Sequence, residues 1–167
     1  MAKSPPVPNA DERLEMGRMC ACFNLRRAAR AVTQVFDAHF DEVGLKATQF
    51  TVLAVLEHAD EEPPTVTELA DRLVLEQSSL SRNLAVLERL GYVRLSPGED
   101  KRQRLVRLTK TGRAALARGY PVWRKAQQSL ADALATDDLG AQLRGLRRLT
   151  RAAQAIRPAR TRAGARA

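Results

Sequence analysis

The sequence predicts a mostly α-helical protein with one small β-hairpin. Three observations predict it. Apolar residues recur three and four apart through most of the chain. Two short stretches, Tyr92–Leu95 and Leu105–Leu108, alternate instead, and they flank a basic loop. Aromatic residues make up only 4% of the chain, so a core must come mainly from Leu, Val and Ala, which favours helices.

The elements follow in order. Residues 1–10 carry Pro5, Pro6 and Pro8 and no periodicity, and read as a flexible arm. A long helix is expected from Asp11 to Val43, on the spacing of Met16, Met19, Phe23, Ala31, Val35 and Phe36, with Gly44 as its stop. A second helix covers Ala47 to Ala59, with Phe50, Leu53, Ala54 and Leu56 turned inward. Asp60-Glu61-Glu62-Pro63-Pro64 ends it. Thr67 is the expected N-cap of a short helix from Glu68 to Leu73. The next helix runs from Gln77 to Leu90, closed by Gly91, with Leu80, Leu84 and Leu87 as its core stripe. After the hairpin, whose turn begins at Pro97-Gly98, a helix is expected from Lys110 to Leu134. Thr136-Asp137-Asp138 marks a break, a last helix runs to Ile156, and Pro158 opens a disordered basic tail at 157–167.

Helix, tight turn, helix and hairpin make a winged helix-turn-helix, here 47–109, embedded between long helices at 11–46 and 110–156. Those flanking helices carry more apolar surface than a small central domain can cover. Leu130, Leu134, Leu139, Leu143, Leu146 and Leu149 all need a partner. The first helix of a second copy, in a two-fold dimer, would supply one; an intramolecular bundle is the alternative.

The net charge of +9 is mostly a property of the C-terminal end. From Arg144 onward there are eight arginines and no acid; without them 20 basic and 19 acidic residues remain. That tail is either a DNA-binding arm or solvated arginine. The local charge of the hairpin is more telling. Between Val93 and Gly112, Arg94, Lys101, Arg102, Arg104, Arg107 and Lys110 face only Glu99 and Asp100. This excess lies beside Ser78-Ser79-Leu80-Ser81-Arg82-Asn83, a helix start carrying short polar residues where Glu and Lys are usual. Short donors at a helix start suit major-groove edges and phosphates, and an arginine-bearing loop suits the backbone alongside. Double-stranded DNA is the expected partner.

In these residues the chain resembles the MarR family of bacterial winged-helix transcription regulators. The motifs are Gly44-Leu45 with Gln49-Phe50-x-x-Leu53, Val66-x-Glu68-Leu69-Ala70-x-x-Leu73, Ser78-Ser79-Leu80-Ser81-Arg82-Asn83-Leu84, Leu87-Glu88-x-x-Gly91, Asp100-x-Arg102 and Leu108-Thr109-x-x-Gly112. The resemblance runs from about Asp11 to Ile156. It implies a homodimer built by the first and the last two helices, with the Gln77–Leu90 helix in the major groove and the wing in the neighbouring minor groove. Such dimers read pseudo-palindromic operators. The resemblance also implies repression, relieved when a small molecule or an oxidant reshapes the dimer. Two departures stand out: Val74 where the family often has Gly, and Glu76-Gln77 where it often has Asp and a basic residue.

On this reading Thr67, Ser78, Ser79 and Ser81 bond phosphates or base edges, one serine being explicable as a cap. Gln77 suits the adenine edge and Arg82 a bidentate contact to guanine. Asn83 is either a phosphate contact or an internal hydrogen-bonder. Arg102 is the expected minor-groove insert, Lys101 and Arg104 phosphate contacts, and Asp100 the support that holds the wing arginine by an ion pair or a turn bond.

Two switches are open. Cys20 and Cys22 lie two apart; on a continuous helix they point roughly 200° apart, which disfavours a bond between them. Each thiol acts alone or across a dimer, or both are small core residues. Arg18 and Arg26 flank Cys22 and favour thiolate. Cys22-Phe23-x-Leu25 resembles the hydroperoxide-sensing branch of the family, although Arg26 and Phe36 stand where that branch carries tyrosines. The second switch is a pocket for an anionic or aromatic effector, with Arg26, Arg27, Arg30, His39, Phe40 and Phe50 as candidate lining residues.

Other classes find little support. No apolar run reaches the roughly 18 residues of a membrane span, and the start of the chain lacks an apolar signal core, so a cytoplasmic location is expected, on the nucleoid when DNA-bound. His39 and His58 have no Cys/His/Glu cluster around them, and neither a metal nor a cofactor is expected. No nucleophile–base pair or phosphate loop suggests an enzyme, and Cys-Ala-Cys lacks the βαβ pattern of a thiol oxidoreductase. A winged helix that binds protein, or DNA without sequence preference or ligand response, is the alternative.

Overall fold

A computed structural model of the chain describes residues 7–59, 62–100, 102–135 and 138–156. The chain divides into two units, Met1–Ala126 and Gln127–Ala167. The flexible-arm reading of residues 1–10 falls mostly outside the described residues, and the basic tail at 157–167 falls wholly outside them. Residue 10 already belongs to a helix.

The expected long first helix is two helices. α1 covers Ala10–Met19 and α2 covers Ala21–Phe40. Asn9 and Glu12 close a reciprocal capping box at the start of α1. The kink between the helices is at Cys20, whose backbone is extended (φ −68°, ψ 106°). Local side chains hold it there. The Cys20 sulfur accepts the Phe23 N–H at 3.4 Å, and the Asn24 amide donates to the carbonyls of Arg18 (3.1 Å) and Cys20 (2.9 Å). Cys20 is therefore the kink residue itself and Cys22 lies in the first turn of α2, so the angular argument for a continuous helix does not apply to them. Both thiols are exposed in the single chain.

A 3-10 turn, Asp41–Val43, ends α2, and Gly44 takes the left-handed conformation (φ 66°). α3 is Ala47–Glu57, started by Asp37 of α2, whose carboxylate accepts the Ala47 N–H at 2.7 Å. Phe50, Leu53 and Leu56 are buried as expected; Val52 takes the inward place expected for Ala54, which is exposed. α4 is Val66–Leu73, and its cap is Thr65, not Thr67. The Thr65 hydroxyl accepts the Glu68 N–H (3.2 Å), while the Thr65 N–H donates to the Glu68 carboxylate (2.8 Å). These bonds, first the backbone N–H and then the hydroxyl, hold the Glu68 carboxyl below the usual carboxylate range. Thr67 instead lies exposed in the first turn of the helix.

Val74 ends α4 in the left-handed region, φ 54°, where glycine would be unstrained. A β-branched residue there costs on the order of 1–2 kcal/mol. α5 follows at Gln77–Arg89 and buries Leu80, Leu84 and Leu87. β1 (Val93–Pro97) and β2 (Arg104–Leu108) pair antiparallel, with Val93 opposite Leu108 and Leu95 opposite Val106. Thr65 bridges Leu105, so the outer edge of β2 is covered too. α6 spans Lys110–Leu134 and passes through Pro121.

The core lies wholly in the first unit. Phe40 and Leu45 join Leu53 and Leu56 of α3, Leu69 of α4, the α5 leucines, Val93 and Val106 of the hairpin, and Ala115 and Val122 of α6. α6 approaches closely at two glycines: a side-chain carbon on Gly112 would lie 2.1 Å from the Tyr92 carbonyl oxygen, and one on Gly119 would lie 2.7 Å from the Phe50 ring. In the second unit α7 is Leu139–Ile156. Asp138 opens it, accepting the Gly140 N–H (2.7 Å) and pairing with Arg144 (3.1 Å); Arg144, then the Gly140 N–H, lower its carboxyl from the ordinary value. The other two residues of the expected break, Thr136 and Asp137, lie outside the described residues.

Candidate nucleic-acid interface and effector pocket

α5 is fixed by its buried leucines, so its other face is fixed as well. That face presents Gln77, Ser78, Ser79, Ser81 and Arg82, all exposed. Glu76 is the N-cap and makes no side-chain cap bond. Ser81 returns its hydroxyl to the Gln77 carbonyl (2.8 Å), and Arg82 donates to the Ser79 hydroxyl (3.3 Å). The latter bond lays the guanidinium along the helix surface. Asn83 is half-buried and donates to the Thr48 carbonyl at 3.4 Å, linking α5 to α3.

The wing tip is closed by backbone bonds. Gly98 donates to the Gln103 carbonyl (2.9 Å) and Gln103 to the Asp100 carbonyl (2.8 Å). The Asp100 carboxylate accepts the Arg102 N–H at 2.9 Å, a turn bond rather than a grip on the guanidinium. Arg102 and Arg104 are exposed, and Lys101 lies outside the described residues. A cleft of about 290 Å³ separates α5 from the wing. Thr65, Thr67, Gln77, Ser81, Glu88, Arg102, Gln103 and Arg104 are among its walls. Five of the sequence-predicted contacts thus meet across one cleft; Ser78, Ser79 and Arg82 extend its α5 side.

The effector residues are less well grouped. An open pocket of about 730 Å³ is walled by Phe36, Phe40, Phe50, Tyr120 and Trp123, with Glu57, His58 and Arg72 also lining it. Phe40 and Phe50 pack with ring centroids 4.8 Å apart, and Tyr120 stacks on Trp123 at 5.7 Å. Arg26, Arg30 and His39 do not line it. Phe36 and Phe40 share a face four residues apart; His39 is turned about 100° away from Phe40, and the arginines lie about two to four turns earlier along α2. His39 makes a 2.8 Å bond to the Val35 carbonyl. The sequence missed Arg72, Tyr120 and Trp123, which come from α4 and α6. Among the described residues there is no group of three His, Cys, Asp or Glu side chains placed to hold a metal, and no helix long and apolar enough to cross a membrane.

A recognition helix packed on a short preceding helix, with a basic hairpin wing beside it, defines a winged helix-turn-helix regulator. The MarR family model matches residues 43–103, the winged-helix segment. The transcriptional regulator MosR of M. tuberculosis, solved in complex with DNA, is 39% identical, with a TM-score of 0.74 over 83% of this chain and 99% of that one. The transcriptional repressor CouR, bound to a 23-mer DNA duplex, is 27% identical, with a TM-score of 0.70 over 81% of this chain and 95% of that one. YwoH of Bacillus subtilis (strain 168), an HTH-type transcriptional regulator, is 33% identical over 86 residues, 52% of this chain and 61% of that protein. The chain belongs to the MarR family of transcriptional regulators.

Proposed function

We propose that this regulator binds a pseudo-palindromic operator as a homodimer and represses the genes beside it. The observation that carries the reading is the shared cleft: exposed Gln77 and Ser81 on one wall, Arg102 and Arg104 on the other. α5 enters the major groove, Arg102 reaches the adjacent minor groove, and Arg104 neutralises phosphate. Two-fold pairing is supported by exposed apolar residues: Leu14, Met16, Met19 and Phe23 on α1 and α2, and Leu143, Leu146 and Leu149 on α7. Selection from a random duplex pool is expected to enrich an inverted repeat with half-site centres about 10 bp, or a multiple of that, apart. Enrichment of a single half-site, or of no sequence, would sink the reading.

Relief of binding has two supported routes. The aromatic pocket suits a flat apolar ligand, and Arg72 on α4 connects it to the DNA-reading half. The second route is oxidation of Cys20 and Cys22, both exposed, the first at the kink and the second in the first turn of α2. A hydroperoxide would take two electrons and two protons from the thiols, leaving as alcohol and water while a disulfide forms. That removes the sulfur cap on the Phe23 N–H and resets the α1–α2 angle. Mild peroxide is expected to remove two hydrogens from the peptide holding both cysteines and to weaken DNA binding. Unchanged mass together with unchanged binding would exclude this route.

A further inference from the structure

The hairpin has two edges, and each is held by a different element. Leu95 and Val106 oppose one another with both N–H groups pointing outward, away from the β1–β2 ladder. The Val106 N–H donates to the Pro64 carbonyl at 2.9 Å. The Leu95 N–H donates to the Glu88 carboxylate of α5 at 3.2 Å. Glu88 is thus a strut between the reading helix and the wing, at the back of the cleft whose walls carry Gln77 and Arg102.

A carboxylate is otherwise badly placed here. It sits one residue before the last of α5, where the helix dipole disfavours negative charge. It also shares a cleft with Arg102 and Arg104, where it repels any phosphate they would attract. The bond to Leu95 offsets both costs, because an unpartnered edge N–H would leave the wing free to swing against α5.

We infer that Glu88 is a positioning residue that sets the distance between the major-groove helix and the wing, and through it the preference for operator over random DNA. The inference rests on the DNA-binding reading, and its test separates the two. Glu88→Gln keeps an oxygen acceptor and loses the charge; Glu88→Asp keeps the charge and loses the reach; Glu88→Ala loses both. Amide hydrogen exchange at Leu95, measured without DNA, is expected to match wild type in Glu88→Gln and to quicken at least about tenfold in the Asp and Ala variants. Operator affinity is expected to fall about tenfold in Glu88→Ala and Glu88→Asp, with random-DNA affinity unchanged or, for Glu88→Ala, higher. Glu88→Gln should bind the operator at least as tightly as wild type. Equal exchange at Leu95 in all four proteins would overturn the strut. So would parallel affinity changes in the Ala and Gln variants, which would leave Glu88 as a repelling charge alone. A wild-type protein that binds no duplex would remove the DNA reading, while the exchange measurement would still report on the strut.

Discussion

Gly112→Ala is expected to destabilise the folded chain by about 3 kcal/mol, lowering the melting temperature by about 6–12 °C at this chain length. An added carbon would lie 2.1 Å from the Tyr92 carbonyl oxygen and 2.6 Å from a Leu108 methyl group. The oxygen has nowhere to go. It accepts the Thr109 N–H at 3.1 Å, and the Thr109 hydroxyl lies 3.2 Å away. That same hydroxyl donates to the Gly91 carbonyl (2.7 Å) and accepts the Gly112 N–H (3.0 Å), capping α6. Relief therefore means moving the start of α6 off the end of α5, with loss of the cap. Gly119→Ala provides the comparison. Its carbon meets the Phe50 ring at 2.7 and 2.9 Å, but that ring borders an open pocket and can tilt into it. A cost of about 1–2 kcal/mol is expected there. Circular-dichroism melts of the two variants check the pair; a Gly119→Ala protein less stable than Gly112→Ala would refute the clamp.

The Leu108-Thr109-x-x-Gly112 motif was readable as a sequence, yet its reason was not, because the clashing oxygen belongs to Tyr92, twenty residues earlier. The same division runs through the fold. Leu80, Leu84 and Leu87 share a face by helical period alone, so the orientation of α5, and with it the exposed serines, followed from spacing. The kink at Cys20 did not, because apolar spacing continues across it and the carbonyls it exposes are met by one side chain, Asn24. The start of α4 was readable and was misplaced. Thr65-x-x-Glu68 is a capping box on its face, and it outweighs a lone Thr67 because it satisfies two backbone groups at once.

Nonlocal partners explain the site as well. Asn83 belongs to the reading helix by number, but Thr48, thirty-five residues away, takes its amide. Glu88 was visible only as part of a motif, since its partner is a backbone N–H on a strand. The effector pocket needed Tyr120 and Trp123 from α6 to meet Phe40 and Phe50, and no periodicity within α2 points to them. Charge misled in the opposite way: arginines on α2 suggested an anion site, whereas the arginine among the pocket's lining residues is Arg72 of α4.

Arg82→Ala and Arg102→Ala are expected to weaken DNA binding by comparable amounts and in different ways. Arg102 extends from a wing tip fixed by its own N–H, bonded to Asp100, so substitution removes the guanidinium and leaves the turn intact. A contact to the minor groove and its phosphates is worth about 1 kcal/mol per wing, hence about 30-fold for two wings of a dimer. The loss should be similar on operator and random duplex, with the slope of log affinity against log salt reduced by about 2. Arg82 stands on the exposed side of α5 and donates to the Ser79 hydroxyl at 3.3 Å; on the proposed reading a base edge replaces that hydroxyl. A bidentate contact to guanine is worth about 1–3 kcal/mol per half-site, so Arg82→Ala should cost at least about 30-fold on the operator and little on random DNA. The ratio of the two affinities is the measurement, taken by fluorescence anisotropy over a salt series and a panel of operator variants. Arg82→Ala should flatten discrimination at one base pair of each half-site, while Arg102→Ala should leave discrimination unchanged. Equal losses on every duplex for Arg82→Ala would make it a phosphate contact and move base reading to Gln77 and the serines.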